Sequence, residues 1–298
     1  MKKLFITLCI AVSLISCRQR PENQFLTNEI PSEEPVAFLP NIIPEGKLIH
    51  KGIFSPDLEN YYYTISDTSF QQFDIYVVHK ENGRWSSPEK AFFNSKYNDH
   101  GMSFSPDGNV LYFSSTRPTE AAGVANTWHI WKSKKIDGEW QPPEFIDILN
   151  LRNKLVSHPT ITADGRMYFH ASSPDYSEMD LYCSTLVNGA FQNAEKVKIA
   201  MDAPTGKCTP FVDPEGRFLL FAAIGSQLDL YITFPDGQGA WTKTRRLRNE
   251  INTNGQGNPF VTADNSFLFF TTGEYQKTNW EVKWVKMEDR LMIHPKPQ

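Results

Sequence analysis

Cysteine is scarce in this chain, with four in 298 residues, too few for a disulfide-built scaffold. Basic charge is not in excess. Thirty Lys and Arg stand against 34 Asp and Glu, for a formal net charge of -4. A dedicated nucleic-acid binder or a polybasic membrane-surface protein needs a positive surplus, so neither class fits. Several chemical signatures are missing: no Gly-rich phosphate loop, Gly-x-Ser-x-Gly elbow, His-Glu-x-x-His or Cys-x-x-Cys occurs. Those absences remove the common sequence routes to nucleotide binding, serine hydrolysis and zinc chemistry. No cofactor is implied. What the chain has in quantity is aromatic surface, 13% of residues including 21 Phe, 11 Tyr and 7 Trp. Large aromatic side chains fit best on pleated sheet.

The first residues do not belong to the fold. Lys2 and Lys3 precede an apolar run over 4–15, well short of the ~20 residues that a spanning helix needs. A polar stretch follows from Arg18, as expected of a targeting segment over 1–16. The tetrapeptide Leu14-Ile15-Ser16-Cys17 resembles the lipobox of bacterial lipoproteins. The resemblance implies cleavage before Cys17 and lipidation of its thiol, an anchor that needs no transmembrane helix; no metal ligand is assigned anywhere in the chain. Each acyl CH₂ buried in the bilayer contributes ~0.8 kcal/mol, enough for several chains to hold the protein there. Arg18 rather than Asp follows Cys17, which for such lipoproteins implies the outer membrane. The expected address is the bacterial cell envelope, lipid-anchored, facing the periplasm. Residues 17–33 read as a flexible tether, and 34–298 as a single domain with a short C-terminal tail. Cys183 and Cys208 fall on different repeats and are expected to be free thiols.

The domain repeats itself five times. Ser55-Pro-Asp-Leu58, Ser105-Pro-Asp-Gly108, Thr162-Ala-Asp-Gly165, Asp213-Pro-Glu-Gly216 and Thr262-Ala-Asp-Asn265 recur roughly every fifty residues, a spacing typical of repeat architectures. Each suits a type I turn, with a polar residue first and Pro or Ala second. An apolar run follows each turn, as in Val110-Leu-Tyr-Phe113 and Phe218-Leu-Leu-Phe221. A third element comes next, as in Asp74-Ile-Tyr-Val, Asp180-Leu-Tyr-Cys and Asp229-Leu-Tyr-Ile. Four copies then show a hairpin signal, Asn82-Gly-Arg-Trp85, Asp137-Gly-Glu-Trp140, Asn188-Gly-Ala-Phe191 and Gln238-Gly-Ala-Trp241. Four strands per copy cannot bury both faces alone, so the copies must stack radially. The predicted fold is all-β: a five-bladed β-propeller with four antiparallel strands per blade. The fifth copy lacks an outer strand, and the segment 34–43 has no blade. That N-terminal segment is expected to complete the last blade and close the ring.

The Ser-Pro-Asp-Gly turn, the run Leu111-Tyr-Phe-Ser-Ser-Thr-Arg117 and the Asp-Ile-Tyr strand resemble the WD40-like Pro-Asp repeats of TolB-like bacterial envelope proteins. The resemblance covers roughly 34–292 and implies the propeller fold. It is weak for activity, because propellers host many functions. Copies four and five carry Lys207-Cys208 and Gly257-Asn258 where the family often has acids.

In a propeller the innermost strands begin at the mouth of the central channel, the default ligand site. The residues expected there are His50, Lys51, Asp99, His100, His158, Lys207 and Asn258, with Arg117 on the longest inserted loop. Three histidines from consecutive blades, with Asp99, suit either an anionic ligand or a metal. His158 lies six residues before its turn acid and the other two lie seven before theirs, so it reads as facing the other side of its strand. Trp85, Trp140 and Trp241 recur per repeat and read as core, as do Trp128, Trp131, Trp280 and Trp284. Glycoside hydrolysis needs two flanking carboxylates, and the expected mouth supplies one, Asp99. The reading is therefore a binding or scaffolding module for an envelope protein or a cell-wall glycan, with no catalytic residue assigned. A carbohydrate-active hydrolase is the competing class.

Overall fold

A computed structural model describes residues 30–81, 84–201, 206–274 and 277–287. The expected leader, Cys17 and most of the expected tether lie outside these residues. Five sheets are present, and each is one blade. Their innermost strands are Lys47–Phe54, Asp99–Phe104, Leu155–Ile161, Lys207–Val212 and Gln256–Val261. The second strands are Asn60–Asp67, Val110–Ser115, Arg166–Ser172, Leu219–Ile224 and Phe267–Thr272, and the third are Phe73–Glu81, His129–Ile136, Met179–Val187, Leu228–Thr233 and Glu281–Lys286. All pair antiparallel.

The repeated turn is held by its own side chains. The hydroxyls of Ser55, Ser105, Thr162 and Thr262 each donate to the Asp two residues on. The same oxygens accept the amide that opens the next strand, from Asn60, Val110, Arg166 and Phe267, at 2.9–3.1 Å. This is the local side-chain-to-backbone bonding that favours Ser, Thr and Asp in turns. In the fourth copy Asp213 takes the hydroxyl's place. It accepts Arg217 N at 3.1 Å and pairs with the Arg217 guanidinium at 2.7 Å. The third-strand acids also repeat one contact. Asp74, Asp180 and Asp229 pair with Lys90, Lys196 and Arg246 of the outer strands at 3.0, 2.6 and 2.7 Å. Residues used once per blade in this way are scaffold.

The core is divided among the blade interfaces. Five buried clusters occur among the described residues, one between each pair of neighbouring blades. The second strands are buried on both faces because alternate side chains feed different clusters. Leu219, Phe221 and Ala223 pack toward the third blade, while Phe218, Leu220 and Ala222 pack toward the fifth. The fit is close at Gly52, where an added Cβ would stand 1.8 Å from the Tyr61 hydroxyl. Cys183 and Cys208 are free, the first half-buried and the second buried.

The ring closes as the missing strand requires. Val36–Ala37 pairs antiparallel with Glu281–Lys286, with Val36 opposite Trp284 and Ala37 opposite Lys283. Phe38 follows with its amide on Val282 O at 2.8 Å. Its ring is 1% exposed and meets Phe54, Tyr61, Phe269 and Trp284 edge-on at 5.0–6.0 Å. One residue thus joins the first blade to the last. The fourth copy departs from its hairpin signal: Trp241 bridges Pro235 and Ile199, and the outer strand is Arg245–Arg246. Truncating Phe38 to Ala removes this wedge and is expected to cost about 3–5 kcal/mol. Chemical denaturation checks it; a loss below about 1 kcal/mol would show that closure does not depend on this ring.

Candidate functional site

The channel is built by a shared irregularity. Each innermost strand carries one extra residue at the same level, seen as register shifts between Ile49 and Lys51, His100 and Ser103, Ser157 and Thr160, Cys208 and Phe211, and Gly257 and Phe260. Such bulges re-aim side chains and free backbone amides from the ladder. At four of them one residue is left-handed: Gly101 (φ 61°), His158 (57°), Thr209 (45°) and Asn258 (51°). For the β-branched Thr209 this is a strained conformation. At Gly101 a Cβ would come within 3.1 Å of the His158 ring.

The bulges make a buried polar belt across the axis. His100 Nδ1 hydrogen-bonds to Thr64 Oγ1 of the first blade at 3.1 Å, and its Nε2 to His158 Nε2 of the third at 2.9 Å. Thr209 N donates to His170 Nδ1 (3.3 Å), Asn258 N to Thr209 Oγ1 (3.1 Å), and Asn258 Nδ2 to His50 O (2.9 Å). His50 Nε2 bonds Ser66 Oγ at 2.7 Å. These contacts run through all five blades and return to the first. Because a backbone amide can only donate, His170 accepts on Nδ1 and keeps its proton on Nε2. His158 and His170 stack at 4.9 Å.

Burial keeps the belt uncharged. It lowers the His50 pKa to about 4 and that of His170 to about 3. His100 and His158 are pushed well below the ordinary range, first by burial and then by neighbouring basic groups. Desolvation disfavours the imidazolium wherever no carboxylate offsets it. Among the described residues no group of three or more His, Cys, Asp or Glu is placed to hold a metal ion.

On one side of the belt the channel opens into an aromatic mouth of about 550 Å³. Phe70, Phe73, Trp128 and Tyr176 line it above His100, His158 and His170, with Gln71 and Asn98 among them. Trp280 backs this wall, 5.2 Å from His50 and 5.6 Å from Phe70. Among the described residues no carboxylate lines the mouth. The nearby loop acids are at least partly exposed and bond within their own loops: Asp67 accepts Ser69 Oγ and the amides of Gln71 and Gln72, Asp175 accepts Ser173 and Ser177, and Glu274 pairs with Lys277.

The structure separates the residues expected at the mouth. His50, His100, His158 and Asn258 meet in the belt. Lys51 is 3% exposed and lines the channel on the far side of the belt. Asp99 is fully buried, bound by Ser95 N, Ser95 Oγ and the Arg117 guanidinium at 2.6–2.8 Å. Arg117 also reaches Phe93 O and lies over the Phe113 and Trp131 rings. This pair braces the second blade and presents no carboxylate to the mouth. Lys207 pairs with Asp180 at 3.1 Å in an outer groove, away from the mouth-lining residues. His158 is not turned away, because the bulge shifts its register. His170, Phe70, Phe73, Trp128, Tyr176 and Trp280 carry no expectation of a site in the sequence, and Trp128 and Trp280 read there as core. His170 had one signal, a polar residue ending the apolar run Met167-Tyr-Phe169.

No protein-family model matches the chain, and no curated protein matches it in sequence. Solved structures do. A TolB-assigned structure from Agrobacterium tumefaciens shares 15% identity with a TM-score of 0.52, over 83% of this chain and 79% of that one. TolB from Acinetobacter baumannii shares 13% with a TM-score of 0.50, over 82% of this chain and 55% of that one. An endo-arabinase from Bacteroides thetaiotaomicron shares 11% with a TM-score of 0.50, over 89% and 96%. The likeness is one of fold.

The belt sets a pH dependence. Below the ordinary imidazole pKa of 6.5 the unfolded chain binds protons that the folded belt refuses, so stability falls as pH falls from 6.5 toward about 4 and then 3. Melting temperature is expected to drop steadily over that window. His158→Asn keeps a side chain tolerant of positive φ and should flatten the profile. An unchanged slope in the variant would place the protons elsewhere.

Proposed function

We propose that the chain is a binding module that takes a neutral glycan at the aromatic mouth, and that it is not a glycoside hydrolase. The observation that carries this reading is the chemistry of the mouth lining: aromatic rings, amides and uncharged imidazoles, with no carboxylate among the described residues. Cleavage of a glycosidic bond needs a proton donor and a second carboxylate flanking it. The sequence's mouth acid, Asp99, is instead closed against Arg117. Aromatic faces beside amide groups suit sugar rings, which present an apolar face and a hydroxyl edge. The similarity to TolB and to an endo-arabinase is compatible with either class and does not choose between them. An envelope address fits a cell-wall ligand, and rests on the lipobox-like tetrapeptide ending at Cys17.

Two measurements test this. Titration with soluble cell-wall oligosaccharides is expected to change Trp fluorescence. Trp128→Ala or Phe73→Ala should weaken binding about tenfold, or ~1.4 kcal/mol. Turnover of the same sugars, abolished by substitution of a loop acid such as Asp67, would overturn the reading in favour of hydrolysis. Recovery of a cross-linked protein on the mouth residues, with no sugar response, would replace the glycan with a protein partner. For the address, labelled palmitate is expected in the wild-type chain and not in Cys17→Ser; equal label in both would remove the anchor.

A further inference from the structure

We propose that the half of the channel beyond the belt is a second ligand site, one that takes an apolar chain ending in a carboxylate, with Lys51 as the seat of the head group. This site is independent of the reading of the mouth, since the belt lies between them.

The chamber has a cavity volume of about 100 Å³ and opens among the repeated turns, where Pro56, Pro106 and Ala263 are exposed. Its wall is almost wholly apolar: Ile53, Phe54, Met102, Phe104, Ile161, Phe211, Val212, Phe260 and Val261 contribute. Phe211 and Phe260 meet at right angles, 6.0 Å apart, and are only half-buried. Two polar groups in this wall lack partners. Ser103 Oγ is buried with no hydrogen bond. Lys51 is 3% exposed, and no hydrogen bond or ion pair holds its ammonium among the described residues. The titratable groups around it are His50 on its own strand, and His100, His158 and His170 on the second and third blades, all held neutral. Among the described residues no Asp or Glu lines the chamber.

An ammonium in such surroundings is costly unless an anion joins it. Its pKa falls from 10.5 to about 7 through burial alone. An apolar residue there would make a more stable protein, so the lysine is retained at a cost to folding, as functional groups commonly are. A single carboxylate would neutralise it, and the apolar wall rejects ligands that carry charge along their length. The chemistry selected is that of a monocarboxylate with a hydrocarbon tail.

The test is calorimetry on the full chain with decanoate, decanol and decyltrimethylammonium. Decanoate is expected to bind at least tenfold more tightly than decanol, and the ammonium compound not at all. Above pH 7 decanoate binding should take up a proton, seen as heat that varies with the buffer's ionisation enthalpy, because Lys51 becomes charged only when its partner arrives. Lys51→Met should raise the melting temperature and reduce decanoate binding to the decanol level. Ser103→Leu, which fills the chamber without touching the charge, should abolish binding of both compounds while the chain still melts cooperatively. Equal decanoate affinity in wild type and Lys51→Met overturns the proposal, as does absence of binding. Loss of decanoate binding in Trp128→Ala with none in Ser103→Leu would assign the compound to the mouth and also overturn it.

Discussion

The constraint on which this molecule turns is that an amide taken out of a sheet ladder and buried must find another acceptor. The innermost strands each hold one residue too many, and the surplus residue has nowhere to bond within its own sheet. In three blades its amide crosses to the blade before it: His158 N to Ser114 Oγ, Thr209 N to His170 Nδ1, Asn258 N to Thr209 Oγ1. A local irregularity in one sheet thereby becomes a bond between two. Each bond is worth about 1 kcal/mol net, and losing a partner costs more than making the bond gains. The five apolar interfaces supply most of the cohesion, while the belt fixes how the blades are aligned about the axis.

The sequence carried the scaffold well because its determinants are local. Ser-Pro-Asp-Gly turns specify themselves through a hydroxyl and a carboxylate two residues apart, and Asp213 shows the rule surviving a change of side chain. The missing outer strand could be inferred because an open edge is costly wherever it occurs. The channel was harder to read. His50, His100 and His158 were visible as candidates, but strand alternation assigned His158 to the wrong side, since a bulge adds a residue that no pattern of polarity announces. Asp99 looked like a mouth residue because it stands where an innermost strand begins, and Arg117 because it sits on the longest inserted loop. They are 18 positions apart, and only the folded sheet shows that burial forces them together. Trp128 and Trp280 come immediately before their third strands, so a shift of one position separates a core residue from a mouth residue.

The belt also divides one channel into two environments of different chemistry. Above it are exposed rings and amides; below it, among the described residues, a hydrocarbon wall with a single cationic group. Neither resembles an acid-base pair, and the same scaffold in solved neighbours is described both as TolB and as a glycan-cleaving enzyme. The scaffold does not choose among these roles, because the residues that would decide them sit on turns and bulges that the blades merely hold in place.

The closing strand has a consequence in time. Val36, Ala37 and Phe38 lie near one end of the described chain, and their partners Val282 and Trp284 lie near the other. Until the last blade forms, the other four can stack in order while the N-terminal strand waits beside an unfinished sheet. Contacts so distant in sequence form slowly, and an exposed strand edge is an invitation to other chains. The final step of folding is therefore also the period of greatest exposure to aggregation, and its length depends on how quickly one phenylalanine finds its place between the first blade and the fifth.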